Sequence, residues 1–447
     1  MAKIMPQFVC QQCGAIKSKW TGRCDNCNAW NSFVEQVPEA SGSSVIATSK
    51  GQVLKVEKID NVAPSDEAGR LSTGLNDIDA VLGGGMVPAS VILVAGQPGI
   101  GKSTLLMQVA ANTAKDNSVL YVSGEESAGQ VKVRATRLGA SHKNLSLVSS
   151  TSADDIAATI RSGQYSLVIV DSVQTLTMNA LSSAPGSVSQ ITNSANLLTG
   201  AAKASNTALL LVGHVTKEGS IAGPKVLEHM VDVVLNLEGD RYGGFKVLRA
   251  IKNRYGSTFE VAILEMTDMG LVAVVNPSAA LLEERISSDG SVILATMEGN
   301  RPLLVEIQAL VNTTNFGYPK RTASGFDLNR LNVLVAVLER RTKLKLSESD
   351  IYVNVVGGIK LQDPAADLAV CMAIASASKQ LELNAGAVVF GEVGLSGEVR
   401  SAAQADKRMA EAKKLGFKFA IGPRQAKKNA FLHPIESMRD ALNKYLK

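Results

Sequence analysis

Residues 90–104 read SVILVAGQPGIGKST, and this stretch decides the fold of the central part of the chain. An apolar β-branched run leads directly into a segment that fits the phosphate-loop pattern G-x-x-x-x-G-K-[ST], and a helix-like stretch follows. Glycines let backbone amides surround phosphates, and a helix amino terminus favours negative charge. The stretch therefore predicts an ATP site made by Gly96, Gln97, Pro98, Gly99, Ile100, Gly101, Lys102, Ser103 and Thr104.

The roles within this loop follow from charge. Lys102 is placed to neutralise the β- and γ-phosphates, and Ser103 to ligate Mg²⁺. The alternative, an incidental glycine-rich turn, is disfavoured by the strand before the loop and the helix after it.

The spacing of apolar runs predicts the surrounding architecture. From about Leu71, short β-branched runs alternate with longer helix-like segments, a pattern typical of a doubly wound parallel α/β sheet. The runs after the phosphate loop are SVLYVSG, NLSLVSS, SLVIVDS and TALLLVGHV. After Asp240, FKVLRAIKN and TFEVAILEM have the spacing of antiparallel strands.

Two carboxylates are candidates for catalysis. Asp171 ends the buried run LVIVD, where it can hold Mg²⁺ at the carboxyl edge of the sheet. Glu125, at the end of LYVSGE, is placed to orient the attacking water, and its neighbour Glu126 is a weaker candidate. The alternative for Glu125 is a solvated carboxylate at a strand end.

Composition excludes some classes of protein. With 447 residues, 45% hydrophobic and 19% charged, the chain is expected to form several folded domains. A net charge of +5 is too small to indicate a nucleic-acid partner by itself. No apolar run long enough for a membrane span and no secretory signal are found, so we expect a cytoplasmic protein.

Four of the five cysteines form two C-x-x-C pairs near the start of the chain. Thiolates at such spacing suit a closed tetrahedral Zn²⁺ site, and a redox pair is the alternative. We expect Trp20 and Trp30 to pack around this site. The predicted zinc ligands are Cys10, Cys13, Cys24 and Cys27.

Longer motifs resemble those of the bacterial RadA (Sms) family of DNA-repair proteins. They are STGLNDIDAVLGGGMVPAS, VSGEES, GHVTKEGSIAGPKVLEH and KNRYG, and the resemblance covers nearly the whole chain. It implies a RecA-like ATPase core in a homo-oligomeric ring, expected to be a hexamer. Single-stranded and branched DNA and the RecA recombinase are the implied partners. Two positions depart from the family: Ala89 replaces a usual glycine, and Tyr255 replaces a usual phenylalanine.

The resemblance also implies roles for single residues. In RecA-like motors ATP lies between subunits, so Lys252, Asn253, Arg254, Tyr255 and Gly256 are expected to act on the neighbour's ATP. His214 resembles the sensor between the γ-phosphate and the DNA-binding loops, and Lys217 and Lys225 are the implied DNA contacts. The alternatives are solvated surface charges and a strand-end histidine that serves only packing.

The stretches VNVVGGIKLQDPAADLAV and FGEVGLSGEVRSAAQADKRMAEA belong to the part of the chain from about Arg301, and this part resembles the proteolytic domain of Lon. Ala365 stands where that protease has its nucleophilic serine, and its lysine position falls at or near Asp406, so no peptidase activity is expected. We expect this domain to organise a ring and add basic surface, with candidates Lys343, Lys345, Arg400, Lys407 and Arg408.

The sequence therefore predicts a four-cysteine zinc finger at 1–35 and a linker at 36–69. A RecA-like ATPase domain at 70–280 and a Lon-protease-like domain without catalytic serine at 281–447 follow. The predicted function is an ATP-dependent single-stranded DNA motor, a helicase or branch-migration enzyme of recombinational repair. Two alternatives are an ATP-dependent Lon-like peptidase and a nucleotide-switched scaffold resembling the circadian ATPases.

Overall fold

The computed structural model describes residues 7–10, 15–26, 30–36, 69–215, 221–222, 226–239, 244–314, 318–426 and 428–446. These residues form two compact units. The first contains the described residues up to Glu238 together with Leu248–Thr258 and Met266–Val272. The second contains Gly239–Val247, Phe259–Glu265 and the chain from Ala273 onward. Because the segments between 239 and 272 alternate between units, the domain limits 70–280 and 281–447 stay predictions.

The amino-terminal module is a small antiparallel sheet. Its strands are β1 (Gln7–Cys10), β2 (Ile16–Lys17) and β3 (Phe33–Gln36), in the order β2-β1-β3. Cys10 and Cys24 are buried against Phe33. This apolar core is very small, which is typical of modules that depend on a metal for stability.

A large sheet with helices between its strands forms the next part of the chain. Its elements are α1 (Asn76–Val81), β4 (Val91–Gly96), α2 (Lys102–Thr113), β5 (Val119–Ser123), α3 (Ala128–Arg137), β6 (Leu145–Ser149), α4 (Ala153–Ser162), β7 (Leu167–Asp171), α5 (Val188–Ala204), β8 (Ala208–Val215), β9 (Ile221–Ala222), α6 (Val226–Met230), β10 (Val233–Gly239), β11 (Phe245–Asn253), β12 (Val261–Thr267) and β13 (Gly270–Ala273). The strand order is β13-β12-β11-β10-β4-β8-β7-β5-β6, with β9 on β8.

The pairing in this sheet confirms the predicted doubly wound core. Strands β10, β4, β8, β7, β5 and β6 pair in parallel, and every residue of β4, β5 and β7 is buried. Parallel strands that are covered on both faces need continuous apolar runs. These strands could therefore be predicted from the sequence. The phosphate loop follows β4, in the interior of the sheet, where α/β proteins bind ligands at the carboxyl ends of their strands.

The second unit is built around another mixed sheet. Its remaining elements are α7 (Pro277–Leu282), β14 (Ser291–Glu298), β15 (Arg301–Thr313), β16 (Arg321–Ser324), α8 (Leu328–Thr342), β17 (Ser349–Val355), α9 (Asp367–Lys379), β18 (Ala387–Val389), β19 (Glu392–Val393), β20 (Val399–Arg400), α10 (Ala405–Lys414), β21 (Phe419–Pro423), β22 (Leu432–Ile435) and α11 (Met438–Tyr445). The sheet order is β16-β17-β15-β14-β18-β21-β22, and β19 pairs with β20.

Helix α9 is the centre of this unit's core. Its residues from Asp367 to Ala377 are buried, and Cys371 among them is fully buried, as is usual for a small core residue. Burial raises the pKa of the Cys371 thiol well above its ordinary value, so the thiol is unreactive.

The expectation that Arg408 adds basic surface was wrong. Its side chain is only 1% exposed, and its guanidinium pairs with Asp363 at 2.6 Å. Ala365, two residues after Asp363, is also buried. By contrast Arg400 and Lys407 are exposed, although Arg400 pairs with Glu398.

Within the described residues, no helix has the length and apolarity that a membrane span requires.

Candidate active site

The loop between β4 and α2 has the backbone that the glycine pattern requires. Gly99 and Gly101 have φ values of +79° and +114°, in the left-handed region that favours glycine. A Cβ on Gly101 would also lie 2.7 Å from Cε of Met266. Gly96 is in register with His214 on β8, and a Cβ there would lie 2.7 Å from the carbonyl oxygen of Leu237. These glycines leave room for a backbone loop that side chains would block.

Lys102 begins α2 and is buried, with 4% of its surface exposed. Its Nζ donates hydrogen bonds to the carbonyl oxygens of Gly96 at 2.8 Å and Gln97 at 3.0 Å. Burial lowers the pKa of Lys102 to about 8, while the carboxylates of Asp171 and Glu125 act in the opposite sense. The ammonium group therefore sits inside the loop, in the field of both predicted catalytic carboxylates.

Asp171 lies at the carboxyl end of β7, opposite Ser123 at the end of β5. The hydroxyl of Tyr121 donates a hydrogen bond to Oδ2 of Asp171 at 2.7 Å. Burial and the carboxylate of Asp171 raise the pKa of Tyr121 well above its ordinary value, so the hydroxyl stays protonated and fixes one oxygen of Asp171.

Glu125 lies just beyond the end of β5. Its Oε1 accepts a hydrogen bond from Oγ of Ser172 at 2.6 Å, and Ser172 directly follows Asp171. Glu125 is thus hydrogen-bonded to the residue that follows Asp171. This bond fixes the distance between the two predicted catalytic carboxylates.

A cavity of about 740 Å³ opens beside the phosphate loop. This size is within the usual range for small-molecule sites. Its walls include the predicted residues Pro98, Gly99, Gly101, Lys102, Ser103, Thr104 and Glu125, and also Arg134, Arg137, Met266, Thr267 and Asp268. The latter five were missed by sequence reasoning. In the sequence, the two arginines of α3 have the pattern of ordinary surface charges. No local pattern connects the end of β12 and the residue after it to the phosphate loop.

The Lys-Asn-Arg-Tyr-Gly motif begins with the last two residues of β11 and continues beyond the strand. Nζ of Lys252 donates to the carbonyl oxygens of Val231 at 2.7 Å and Glu228 at 2.8 Å, at the end of α6. Nη1 of Arg254 pairs with Oδ1 of Asp232 at 3.2 Å. The side-chain amide of Asn253 donates to a backbone carbonyl oxygen, and Tyr255 and Gly256 are half-buried and exposed, respectively.

This motif lies at one end of the sheet's parallel strands, and the phosphate loop lies at the other end. Asp232 precedes β10, and its carboxylate accepts a hydrogen bond at 3.0 Å from the amide of Val91, the first residue of β4. The phosphate loop follows Gly96, the last of the six residues of that strand. Six strand residues span roughly 20 Å. Arg254, which pairs with Asp232, is therefore about one strand length away from its own chain's phosphate loop.

Three predicted residues lie wholly or partly outside the description. His214 is on β8, paired with Gly96 on one side and Ala222 of β9 on the other. Its side chain lies outside the described residues, as do Lys217 and Lys225.

Comparison with known proteins identifies the family. The family described as AAA domain matches residues 61–220, the rubredoxin metal binding domain matches residues 8–35, and the family described as Subunit ChlI of Mg-chelatase matches residues 329–426. A DNA repair protein RadA of Bacillus subtilis (strain 168) is 48% identical over 428 residues, covering 95% of this chain and 93% of that protein. The chain belongs to the RadA family.

Other RadA proteins align over similar lengths. The protein of Halalkalibacterium halodurans is 47% identical, covering 95% of this chain and 93% of its own length. That of Listeria monocytogenes serovar 1/2a is 45% identical, covering 100% and 99%. A crystal structure of the RadB recombinase is 22% identical, covers 46% of this chain and 99% of its own, and has a TM-score of 0.38. Membership of the RadA family confirms the predicted RecA-like ATPase core, zinc ribbon and ChlI/Lon-like domain.

One departure from the RadA pattern has a structural consequence. Ala89, where the family usually has glycine, has a φ of +59°. A residue with a Cβ is disfavoured in this region, which explains why glycine is usual there.

The zinc ribbon of this RadA-family chain has two described cysteines that suit a metal. Cys10 and Cys24 are 1% and 0% exposed in the same small core, so an ion held between them would be shielded from water. Cys13 and Cys27 lie outside the described residues. Within the residues that the structure describes, no group of three or more metal-ligating side chains is found.

The two tryptophans of the ribbon do not pack around its cysteines, so that expectation was wrong. Trp20 and Trp30 are 54% and 71% exposed. The guanidinium of Arg23 lies over the Trp30 ring, 5.7 Å from its centroid. Exposed aromatic rings beside cations are typical of surfaces that bind another molecule.

Proposed function

We propose that this chain is an ATP-driven motor on single-stranded DNA that acts in recombinational repair, as a helicase in branch migration. The cavity beside the phosphate loop carries the proposal, because Lys102, Ser103 and Glu125 meet there next to Asp171. The RadA relatives, described as DNA repair proteins, supply the biological setting.

The roles of the residues follow from this geometry. The backbone of residues 96–104 surrounds the phosphates, and Lys102 leaves the loop carbonyls to pair with the β- and γ-phosphates. Ser103 and Asp171 would hold Mg²⁺, and the bound ion would neutralise charge on the phosphates. Glu125, oriented by Ser172, positions the attacking water.

The ATP site is completed by a neighbouring subunit in a homo-oligomeric ring, expected to be a hexamer. Lys252 and Arg254 carry positive charges suited to the transition state of phosphate transfer. Both lie near the end of β11, at the ends of the sheet's strands opposite the phosphate loop. Head-to-tail contact in a closed ring would bring that edge of one subunit to the phosphate loop of the next.

The DNA and protein contacts are proposed from the resemblance to the RadA family. His214 would link the γ-phosphate to the loop that carries Lys217 and Lys225, and that loop would contact the DNA backbone. The zinc ribbon would hold Zn²⁺ with Cys10, Cys13, Cys24 and Cys27, and the ion supplies folding energy to the module. Branched DNA and the RecA recombinase are the proposed partners.

Peptide hydrolysis is not supported by the second unit. Ala365 has no nucleophilic atom and is buried, and Asp363, two residues before it, forms an ion pair with Arg408. A nucleotide-switched scaffold remains the competing proposal, because it needs the same phosphate loop without a DNA-coupled cycle.

Steady-state ATP hydrolysis with and without single-stranded DNA separates these proposals. Wild type is compared with Lys102→Ala at several salt concentrations. We expect DNA to stimulate hydrolysis, the stimulation to fall as salt rises, and Lys102→Ala to abolish it. A rate of ATP hydrolysis that single-stranded DNA does not change at any salt concentration would reject the motor and favour the scaffold. A strand-displacement assay on branched DNA then tests the helicase step.

A further inference from the structure

Arg134 is a half-buried cation in the wall of the cavity beside the phosphate loop. The residue roles proposed above do not use it. It lies on α3 and lines the cavity with Lys102 and Ser103. Its side chain is 17% exposed and forms an ion pair with Glu126 through Nη2. Its other terminal nitrogen, Nη1, is buried and has no hydrogen-bond partner among the described residues.

An unpaired buried donor of this kind is costly. A guanidinium carries five N–H donors, and a buried donor without an acceptor destabilises the fold. Folded proteins retain such groups mainly where a missing partner, such as a ligand, completes them. Because Arg134 lines the cavity beside the phosphate loop, a small rotation of its guanidinium would turn Nη1 toward an acceptor bound there, and the described residues supply none.

The surroundings of Arg134 indicate the phosphate end of the cavity. Its charge and that of Glu126 both act on the hydroxyl of Tyr121, which donates to the carboxylate of Asp171. Glu126 directly follows Glu125, whose carboxylate also lines the cavity. The guanidinium is therefore near the carboxylates predicted to act on the terminal phosphate.

The chemistry of the side chain supports the same ligand. A guanidinium presents paired donors that match the oxygens of a phosphate, whereas a carboxylate partner holds it in place. Glu126 uses the Nη2 side and leaves the Nη1 side directed elsewhere.

We propose that Arg134 is a second phosphate-binding cation supplied by the same subunit, and that it donates from Nη1 to the terminal phosphate of a nucleoside triphosphate. Glu126 is then a positioning residue that holds the guanidinium before the nucleotide arrives. The inference deepens the proposed nucleotide site and rests on it, but it is independent of DNA binding and of ring formation.

Isothermal titration calorimetry on the full chain tests this proposal. The ligands are the non-hydrolysable triphosphate AMP-PNP and ADP, each with Mg²⁺. Arg134→Gln is expected to weaken AMP-PNP binding about 10- to 100-fold, the range of a lost charge-assisted hydrogen bond, and to weaken ADP binding much less. Glu126→Gln is expected to weaken AMP-PNP by a smaller factor, because the cation remains but is less well held.

Controls separate failure of this inference from failure of the nucleotide site. Lys132→Ala changes an exposed cation on the same helix and is expected to bind both nucleotides as wild type does. Lys102→Ala reports on the site itself. If it abolishes binding while Arg134→Gln changes nothing, the nucleotide site stands and the inference is rejected. Equal losses of affinity for AMP-PNP and ADP would also reject a contact to the terminal phosphate. If Lys102→Ala binds both nucleotides normally, the site proposal itself fails.

Discussion

At the residue scale, backbone conformation explains a difference between this chain and its family. Ala89 has a φ of +59°, although glycine is the usual residue there. Left-handed backbone costs an L-residue roughly 1–2 kcal/mol, and glycine recovers this at the expense of a more flexible unfolded chain. The position therefore carries local strain that the fold tolerates.

We predict that Ala89→Gly raises the free energy of unfolding by about 0.5–1 kcal/mol. The matched control is Ala158→Gly, at an exposed position inside α4 with ordinary helical backbone, which is expected to lower it by about 1 kcal/mol. Denaturant unfolding of the full chain, followed by calorimetry, measures both. A loss of stability in Ala89→Gly as large as in the control would show that the backbone there is not strained.

Arg408 shows how burial changes the meaning of a charged residue. Its Nη1 donates to Asp363 at 2.6 Å and to the carbonyl oxygen of Ala295 at 2.7 Å, and Nε donates to Ala403 at 2.9 Å. Burial opposes the charge of Asp363, but the bonds from Arg408 and from backbone amides outweigh it and lower the pKa of this carboxyl.

A carboxyl whose pKa is lowered by folding stabilises the protein above its unfolded pKa and loses that contribution as pH falls through the folded value. Arg408→Met leaves Asp363 charged and uncompensated, so we predict a loss of about 3–5 kcal/mol at neutral pH. The difference from wild type should shrink as pH falls below about 4, the ordinary pKa of an aspartate, and on through the lowered pKa of Asp363 in wild type, because the carboxyl is then protonated in both proteins. The exposed neighbour Lys407→Met is the control and should change little. A pH-independent difference in calorimetric stability would contradict this account.

At the scale of elements, one strand connects the zinc ribbon to the ATPase sheet. The backbone carbonyl of Glu35 on β3 accepts hydrogen bonds from Oγ of Ser189 at 2.5 Å and Nδ2 of Asn193 at 3.0 Å, both on α5. The carboxylate of Glu35 also accepts from Ser182, in the loop before α5. The ribbon is therefore anchored both to this loop and to the first turns of α5.

Metal removal should therefore be felt in α5. We predict that a chelator raises amide hydrogen exchange in residues 33–36 and in the first turns of α5, because loss of the ribbon fold frees its carbonyl acceptor. In Ser189→Ala/Asn193→Leu the effect on the ribbon should remain and the effect on α5 should disappear. Exchange in α4, which has no bond to Glu35 among the described contacts, serves as the internal reference. An unchanged α5 in wild type would mean that the two elements are not coupled.

Element boundaries also show how far patterns can be followed. The strand runs at β4, β5, β7 and β8 and the antiparallel run at β11 were legible because burial on both faces, or regular spacing, constrains their composition. The edge strand β6 was found from spacing, although most of its residues are exposed. Pairing order was not legible, since neighbouring strands are far apart in the chain.

At the scale of the whole molecule, the two candidate clusters of the ATPase sheet, the phosphate loop and the motif at residues 252–256, lie at opposite ends of its parallel strands. The phosphate loop follows β4, and Arg254 pairs with Asp232 beside the start of that strand. A single subunit therefore cannot use its own Lys252 or Arg254 at its own phosphates without unfolding the sheet. This separation is the physical basis for the proposed shared site.

Mixing inactive subunits tests the shared site. Lys102→Ala and Lys252→Ala are each expected to be inactive in ATP hydrolysis. In mixed rings, a Lys252→Ala subunit supplies an intact phosphate loop and a Lys102→Ala neighbour supplies an intact Lys252, so equal mixing should restore up to about a quarter of the sites. The matched control mixes Lys102→Ala with a Lys102→Ala/Lys252→Ala double variant, which should stay inactive. No recovery in the first mixture would reject action across the interface.

The sequence by itself determined those features that short stretches encode. The phosphate loop, the apolar strands and the two cysteine pairs each depend on neighbouring residues, because backbone conformation, strand burial and metal-ligand spacing are local constraints. Tertiary structure alone decided which distant groups meet. It paired Arg134 with Glu126 in the cavity wall, buried Arg408 while exposing Lys407, and placed Arg254 away from its own phosphate loop. These outcomes depend on strand order and on contacts across the chain, which no local pattern contains.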